Sequence, residues 1–559
     1  MNYPYSFSDV HIRSTDTPAQ NADFELLDNV YVNNTAETWE HSGHYPVLYP
    51  RSLRGTVNAV KYALKHKLNI RAMGAKHSFS LCTQTEDVYI SLSKTVPYTI
   101  EEHNQKVRDL DMRPLLCLKN AYNKKNYFHA LGGMSLAMIN HILCPDSTRQ
   151  IHRFGRKRLF NMPGVDAMTI AGAIATGTHG SGGAISTLHD TVRSIQLVSG
   201  DGTAFRIEPR QGITDPGKHL QWHRDHPDEV KVKLIQNDDM FYSCLVNMGC
   251  FGIIYAVILE VEDMTMLHQE TVYHKAGWKD FAAEKLSQPI LPKIDEEEYY
   301  LSLLVNPYIK KGAAGQSIQT KISKPYDGKE ESKRAKKRRW LPSLSANIGI
   351  VGRLIRFVAN VGKRPKVGII ESALKSQHDA ADKGKGYTDL SYKVLNGGLE
   401  KLKRYGTAIE FCFPTPQVPA VMDKVIALLE EVGDSGKGYY LNAPISIRFV
   451  RPSKAFLAHN FELGPDGSAV KEWCYIELIR VNGKHKDDDE REALLFQRLQ
   501  DLLDEEGGRP HWGLNFEFGF SVPKLQELYP KFDTWLKYYR FFNATGIFSN
   551  EFTQRAGLD

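Results

Sequence analysis

Apolar residues change their spacing several times along the chain, and each change predicts an element. Residues 45–50, YPVLYP, read as a short strand ended by proline. Leu53, Val57, Val60 and Leu64 then recur at helical spacing and predict a helix over 53–67. A strand follows at 68–73, then a loop at Gly74, then VYISLS (88–93), whose Val88, Ile90 and Leu92 alternate as in a half-buried strand. Two further strands, near 194–199 and 203–207, flank Gly200-Asp201-Gly202, a hairpin signal. In NMGCFGIIYAVILEVED (247–263) a glycine-broken turn feeds a long apolar strand. Beyond about residue 265 strand-like runs (299–305, 408–414, 445–450, 473–481) alternate with helical ones (417–432, 488–506). The first 40 residues are polar and predict no element.

This order predicts an α+β protein of two domains. One spans 1–265 (core 40–263), with residues 506–559 folding back onto it. The other spans 266–505, an antiparallel sheet with helices on one face, and carries a poorly periodic insertion near 310–400. The length, 559 residues, exceeds what one core holds, and 42% hydrophobic with 24% charged residues is ordinary globular composition. A net charge of +6 is mild at this length and does not point to nucleic acid. Seven scattered cysteines, with no CxxC pair or zinc-ligand spacing, read as buried thiols of an intracellular protein with no metal. The opening residues carry no basic stretch followed by an apolar one, and no apolar run reaches membrane-spanning length, so a cytoplasmic location is expected.

The chemistry concentrates in glycine-rich loops. IAGAIATGTHGSGG (170–183) ends in no Gly-Lys-Ser/Thr and lacks the strand–loop–helix context of a dinucleotide fingerprint. Its small residues let the backbone approach another body closely. A row of N–H groups there could line a pyrophosphate, and tight packing or a surface loop is the alternative. Met73-Gly74-Ala75-Lys76-His77-Ser78 is a second such loop, and Gly249–Gly252 a third turn.

Together these blocks resemble the FAD domain of the vanillyl-alcohol oxidase superfamily (the PCMH type), and within it the aldonolactone and alditol oxidase group. That group reads Gly-x-x-His-Ser, AGAxATGTHGSG and LGxxGVV in this order. GGRPHWG (507–513) and NATGIFSNEFTQRAGL (543–558) resemble its C-terminal motifs. The resemblance is clear over about 40–263 and 505–558 and weak between. It implies a bound FAD contacted by Met73, Gly74, Ala75, Lys76, His77, Ser78, Gly132, Gly133, Thr169, Gly172, Ala173, Thr176, Gly177, His179, Gly180, Ile253 and Ile254. It further implies a covalent bond from the His77 imidazole to the flavin, which would raise the flavin's reduction potential. His179 is assigned to loop structure and flavin surroundings rather than catalysis. Gly132 would leave space beside the ring, leaning towards reaction with oxygen; the alternative is a turn that needs glycine.

The implied activity is FAD-dependent oxidation of a CH–OH group of a sugar lactone or polyol, with O2 as acceptor and hydrogen peroxide as product. The group pairs Glu with Arg at Glu-x-Arg on a strand, where residues two apart share one face. Here Ser446-Ile447-Arg448 keeps the arginine and loses the acid. Leu514, in HWGLNF, stands where the group has lysine. Arg448 is the expected active-site cation, with a surface strand arginine as the alternative. Glu477, among apolar residues in WCYIELIRV, and His511 are the candidate proton acceptors. A strand-edge carboxylate facing solvent is the alternative for Glu477. The lost pair keeps two other readings open, a sterol- or oligosaccharide-type alcohol oxidase and a flavin-holding protein with eroded catalysis. KRAKKRRW (333–340) and the mixed apolar and basic stretch to 370 read as a solvated loop or a peripheral membrane contact.

Overall fold

The structure is a computed structural model. It describes residues 19–20, 23–34, 42–85, 87–96, 117–144, 156–185, 187–274, 277–287, 289–291, 299–328, 368, 370–372, 374, 386–396, 406–434, 440–481, 487–516 and 520–559. The basic run 333–340 and its continuation to 367 lie outside the described residues.

The first sheet contains β1 (Ala19–Gln20), β2 (Phe24–Val32), β3 (Gly43–Pro50), β4 (Ile70–Ala72) and β5 (Val88–Ile90), in the order β1-β2-β3-β5-β4. β5 pairs in parallel with both β3 and β4, so both strands end on the same side of the sheet. Helix α1 (Leu53–His66) makes the crossover from β3 to β4. The Ser52 hydroxyl accepts from the Gly55 N–H at its start, and Lys67 ends it in the left-handed conformation, φ 57°. Leu53, Val57 and Val60 are buried as their spacing predicts. Leu64 is instead 36% exposed, because Ala63 takes the inward position of the last turn. β5 also departs from expectation. It is buried on both faces, since Tyr89 fills a small second core with Leu27, Val30, Val47 and Tyr49. The polar opening of the chain hides β2, the strand that supplies two of those residues.

The second sheet runs β10 (Val232–Gln236), β9 (Ala204–Glu208), β8 (Val192–Val198), β11 (Ile253–Glu260), β6 (Tyr127–Leu131). The hairpin expected at Gly200–Gly202 joins β8 to β9, with Gly202 at φ 78°. A two-stranded ribbon pairs β7 (Lys157–Arg158) with β12 (Glu262–Asp263).

The third sheet has eight strands. They are β13 (Met266–His274), β14 (Tyr300–Val305), β15 (Ile318–Tyr326), β16 (Tyr387–Leu390), β17 (Gly406–Pro414), β18 (Ile445–Val450), β19 (Trp473–Val481) and β20 (Arg509–Pro510). Their order is β16-β13-β15-β14-β18-β19-β17-β20, and every pairing is antiparallel. One face, with Ile409, Phe411, Ile447, Phe449, Ile476 and Leu478, packs in one core with buried residues of helices at Val418–Asp434 and Asp487–Glu505. The other face carries the polar residues of β17, β18 and β19, and there Glu410 meets His179 from the glycine loop at 170–183.

The chain after β20 returns to the first part of the molecule. Trp512, Phe532, Trp535, Phe542, Phe548 and Phe552 share a core with residues of the first two sheets. Ala455–Ala458 and Phe461, from the loop after β18, join the same core. Backbone bonds tie Ile70 N–H to the Ile547 carbonyl (2.8 Å) and Gly200 N–H to Phe542 (3.0 Å). All seven cysteines are buried thiols outside any disulfide. Among the described residues no helix is long and apolar enough to cross a membrane.

Candidate active site

The three glycine loops and the Gly132-Gly133 turn converge where β4 and β5 end. Met73 N–H donates to the Ile90 carbonyl (2.8 Å), seating the first loop over β5. Gly74 lies so close to Thr169 that a Cβ would overlap its Oγ1. At Gly132 a Cβ would overlap the Ile254 carbonyl and press on the Cβ of Ala171 at 3.2 Å. At Gly133 it would lie 2.7 Å from the Leu92 carbonyl. The space expected beside Gly132 is therefore filled by β11 backbone. Glycine is required there for chain packing.

The second loop begins as a short helix, Ile170–Ala175, after Thr169. Met248 N–H donates to the Ala175 carbonyl (2.9 Å), which brings in the third turn. Beneath that turn lies Arg71, 1% exposed, directed at the Met248 carbonyl (3.4 Å) and the Cys250 thiol (3.5 Å). Its buried Nε has no partner among the described residues. Ile253 and Ile254 open β11 beside this turn. Close-packed backbone amides with a buried guanidinium suit an elongated anionic cofactor such as FAD.

His77 sits on the first loop, after Lys76 at φ 60°. Burial pushes its imidazole down to about 4, so the ring is neutral at pH 7 and its nitrogen keeps a lone pair. The ring makes no hydrogen bond among the described residues. The C-terminal segment closes this loop. Ser78 Oγ–H and Phe79 N–H both donate to the Gly513 carbonyl (3.0 and 2.9 Å), and the Asn34 amide donates to the Ser78 carbonyl (3.2 Å).

The far half of the second loop is fastened to the third sheet. Gly182 N–H donates to the Phe449 carbonyl (2.5 Å) and Gly183 N–H to Tyr299 (2.6 Å), while Ser181 Oγ–H donates to Leu301. Gly182 and Gly183 reach these partners at φ 75° and 78°, where a side chain is strained. Gly180 packs on Asn161, and Gly177 on the His459 ring, where a Cβ would lie 2.5 Å from Cε1. These contacts place His179 against the polar face of β17, β18 and β19.

That face carries a buried charge cluster. Glu410 on β17 opposes Glu477 on β19, Ser446 on β18 opposes Glu477 from the other side, and Arg448 opposes Tyr475. Residues opposed in register share one face of a sheet, so all five side chains belong to the same surface. Arg448 donates to Glu477 Oε2 (2.7 Å) and lies 3.8 Å from Glu410 Oε1. His179 Nδ1–H donates to the Gly180 carbonyl (2.9 Å), and its Nε2 lies 3.2 Å from Glu410 Oε2. Its ring stacks on Tyr475, centroids 3.6 Å apart. A carbonyl only accepts, so Nδ1 is the donor to Gly180, which leaves Nε2 facing the Glu410 carboxylate. His179 is thus bound into the polar cluster as well as the loop.

The two carboxyls are driven in opposite directions. Burial raises Glu410, but His179, Arg448 and His511 outweigh it and bring the group down to about 2. Burial raises Glu477, and the neighbouring Glu410 charge adds to this; Arg448, His179 and the Ser446 hydroxyl oppose it without reversing it. Glu477 is thus the stronger base although Arg448 lies nearer to it. The cation itself is held charged by both carboxylates against the opposing effect of burial.

His511 follows β20. The Gly513 N–H donates to its Nδ1 (3.0 Å), so the neutral ring carries its proton on Nε2. Burial pushes it down to about 4. His459, stacked on His511 at 4.8 Å, accepts from Trp512 N–H (3.1 Å) and donates to the Tyr475 hydroxyl (3.1 Å). His179, Glu410 and His511 each place a potential ligand atom within 4.8 Å of the other two. The His511 geometry puts its accepting lone pair on the Gly513 amide, a poor arrangement for a metal. Leu514 continues the turn, its N–H donating to the His511 carbonyl (3.1 Å), and brings no charge.

Arg448, Glu477 and His511, expected from sequence, are therefore brought together with His179. The first loop lies behind the C-terminal segment that carries His511. Glu410, Tyr475 and His459 were not anticipated. Glu410 had a signal, an acid inside the apolar run AIEFCFP, of the same kind that marks Glu477.

A family model described as D-arabinono-1,4-lactone oxidase matches residues 297–556, running through the central region where the motifs give little. L-gulono-1,4-lactone dehydrogenase of Mycobacterium tuberculosis is 22% identical over 515 residues, 91% of this chain and 95% of that protein. Alditol oxidase of a Streptomyces species is 43% identical over 61 residues, 11% of this chain and 14% of that one. Among solved structures, cholesterol oxidase from B. sterolicum superposes with a TM-score of 0.66 at 15% identity, covering 97% of this chain and 99% of that one. A solvent-stable cholesterol oxidase gives 0.64 at 12% identity. At such identity the likeness extends to the fold.

Proposed function

We propose that the chain, a PCMH-type flavoprotein of the vanillyl-alcohol oxidase superfamily acting on CH–OH donors, uses FAD to oxidise a polyol or sugar lactone with O2 as acceptor. FAD, when bound, supplies hydride acceptance and return of the electrons to oxygen. We assign its binding to the residues of the three loops, 73–78, 169–180 and 253–254, and of the 132–133 turn, with the buried Arg71 beneath the third loop. His77 is the attachment point. Its neutral imidazole has a free lone pair, the state a covalent bond to the flavin requires.

The observation that carries the reading is Arg448, a cation held between two carboxylates on the sheet face that meets the second glycine loop. A fixed positive charge there stabilises anionic charge that develops as a hydroxyl is deprotonated or a cofactor reduced. Glu477 and His511 are the groups placed to hold a proton. The polarity of this face, with Glu410, Ser446, Glu477 and His511, suits a hydroxylated substrate better than a sterol.

Anaerobic mixing with a panel of alditols, aldonolactones and a sterol tests this. Bleaching of the flavin by a polyol or lactone, with hydrogen peroxide formed in air, is expected. Bleaching by the sterol alone would overturn the substrate class. Bleaching without peroxide in air would make the enzyme a dehydrogenase.

A further inference from the structure

The Glu-x-Arg pattern of the aldonolactone group is broken at Ser446, and the fold shows what stands in its place. β18 lies next to β19, and β19 next to β17, so Glu477 and Glu410 are the first and second acids reached from Ser446 along one row of the sheet. Two carboxylates directly opposed are unfavourable unless something divides them. Here Arg448 binds one end of the pair and His179 the other. Glu410 is 3% exposed and its Oε1 has no hydrogen-bond partner among the described residues. Arg448, at 3.8 Å, supplies charge without a hydrogen bond.

We propose that the two carboxylates divide the work, Glu410 as the permanent anion that positions Arg448 and raises the basicity of Glu477, and Glu477 as the proton acceptor. This rests on the functional reading above. As the substrate O–H bond breaks, its proton passes to a Glu477 oxygen. The C–H bond would break with its electron pair leaving as hydride, for which FAD, when bound, would supply the acceptor, and the oxygen left by the proton would form the C=O bond. Glu410 takes no proton at any stage. It is a positioning residue, and Ser446, whose hydroxyl donates to Glu477, completes the acceptor's surroundings.

The groups facing Glu477 are Arg448 from β18, Glu410 from β17, His179 from the second loop and Ser446 beside it. Of the charged ones, only Glu410 opposes its ionisation. Removing the Glu410 charge must therefore make Glu477 easier to ionise. A merely structural loss at Glu410 would lower activity without moving its pH dependence.

The test is the acid limb of kcat/KM against pH, per bound flavin, in wild type, E410Q, E410D and E477Q. The limb position does not depend on the fraction of folded enzyme, so partial misfolding of E410Q does not obscure it. The expected result is a limb moved to lower pH by about one unit, a tenfold change in proton concentration, in E410Q. E410D should return it towards wild type. E477Q should lose the limb and at least about 100-fold in kcat/KM. An unmoved limb in E410Q, or a wild-type limb kept by E477Q, overturns the division of roles while leaving the oxidase reading intact. A wild-type flavin that no polyol or lactone reduces overturns that reading, and this inference with it.

Discussion

At the scale of single residues, burial and immediate partners decide chemistry that residue type leaves open. His77, His179, His459 and His511 are four histidines in four states. His77 is neutral and makes no hydrogen bond among the described residues, and His179 is pinned between a carbonyl and a carboxylate. His459 and His511 are neutral rings whose tautomers are set by the Trp512 and Gly513 amides. Two predictions belong here. Acid precipitation of the wild-type protein should leave yellow flavin on the pellet, and H77A should release it to the supernatant; colour retained on H77A would remove His77 as the anchor. His511 titrates at about 4 in the fold against an ordinary value near 6.5. The unfolded chain therefore takes up a proton first as pH falls, so this contribution is complete above about 6.5 and is lost progressively down to about 4. The loss amounts to about 3 kcal/mol. Denaturant titrations across that window should show a shallower pH slope in H511N, and an equal slope would exclude His511 as the source.

At the scale of elements, glycine conformation and strand register assemble the site. Gly182, at φ 75°, lies where a Cβ would meet the Tyr299 carbonyl, and its N–H bonds to Phe449. Backbone on both sides cannot yield as a flexible side chain would. G182A should destabilise the protein by about 2 kcal/mol or more, combining left-handed strain with a forced shift. It should also loosen His179 from Glu410, so hydrogen exchange at residues 179–183 should rise more than in the second sheet. Exchange unchanged at those amides would show that the loop is held by other contacts. The alternation of WCYIELIRV already set Glu477 apart from its apolar neighbours. It left open whether that face met solvent or a site, because β19 is flanked on both sides only once β17 and β18 have paired with it. Likewise VYISLS showed alternation, but the burial of Tyr89 on its second face required β2 and β3.

At the scale of the whole molecule, the returning C-terminal segment joins the first glycine loop to the third sheet. Arg509 is the fastening. It is fully buried, donates to the carbonyls of Leu528, His459, Phe461 and Leu463, and lies over the Trp473 and Tyr529 rings at 4.5 and 4.9 Å. Its motif, Arg-Pro-His-Trp, thus holds a structural cation next to a site histidine. R509M should cost about 3 kcal/mol or more, because it strips hydrogen bonds from several buried carbonyls at once. Thermal unfolding of apo and flavin-loaded protein would measure it, and a shift under about 0.5 kcal/mol, typical of a surface change, would contradict this role. The sequence by itself determined the α+β class, the glycine-rich loops and the candidate residues Arg448, Glu477 and His511. Those signals are local, carried by glycine runs, strand alternation and short motifs. Only the tertiary structure decided that Glu477 stands opposite Ser446 with Glu410 next beyond it, that His179 is bound into the charge cluster, and that Gly132 is glycine for packing. Each of these depends on pairing between segments tens to hundreds of residues apart, and no local pattern encodes which distant side chain will face another.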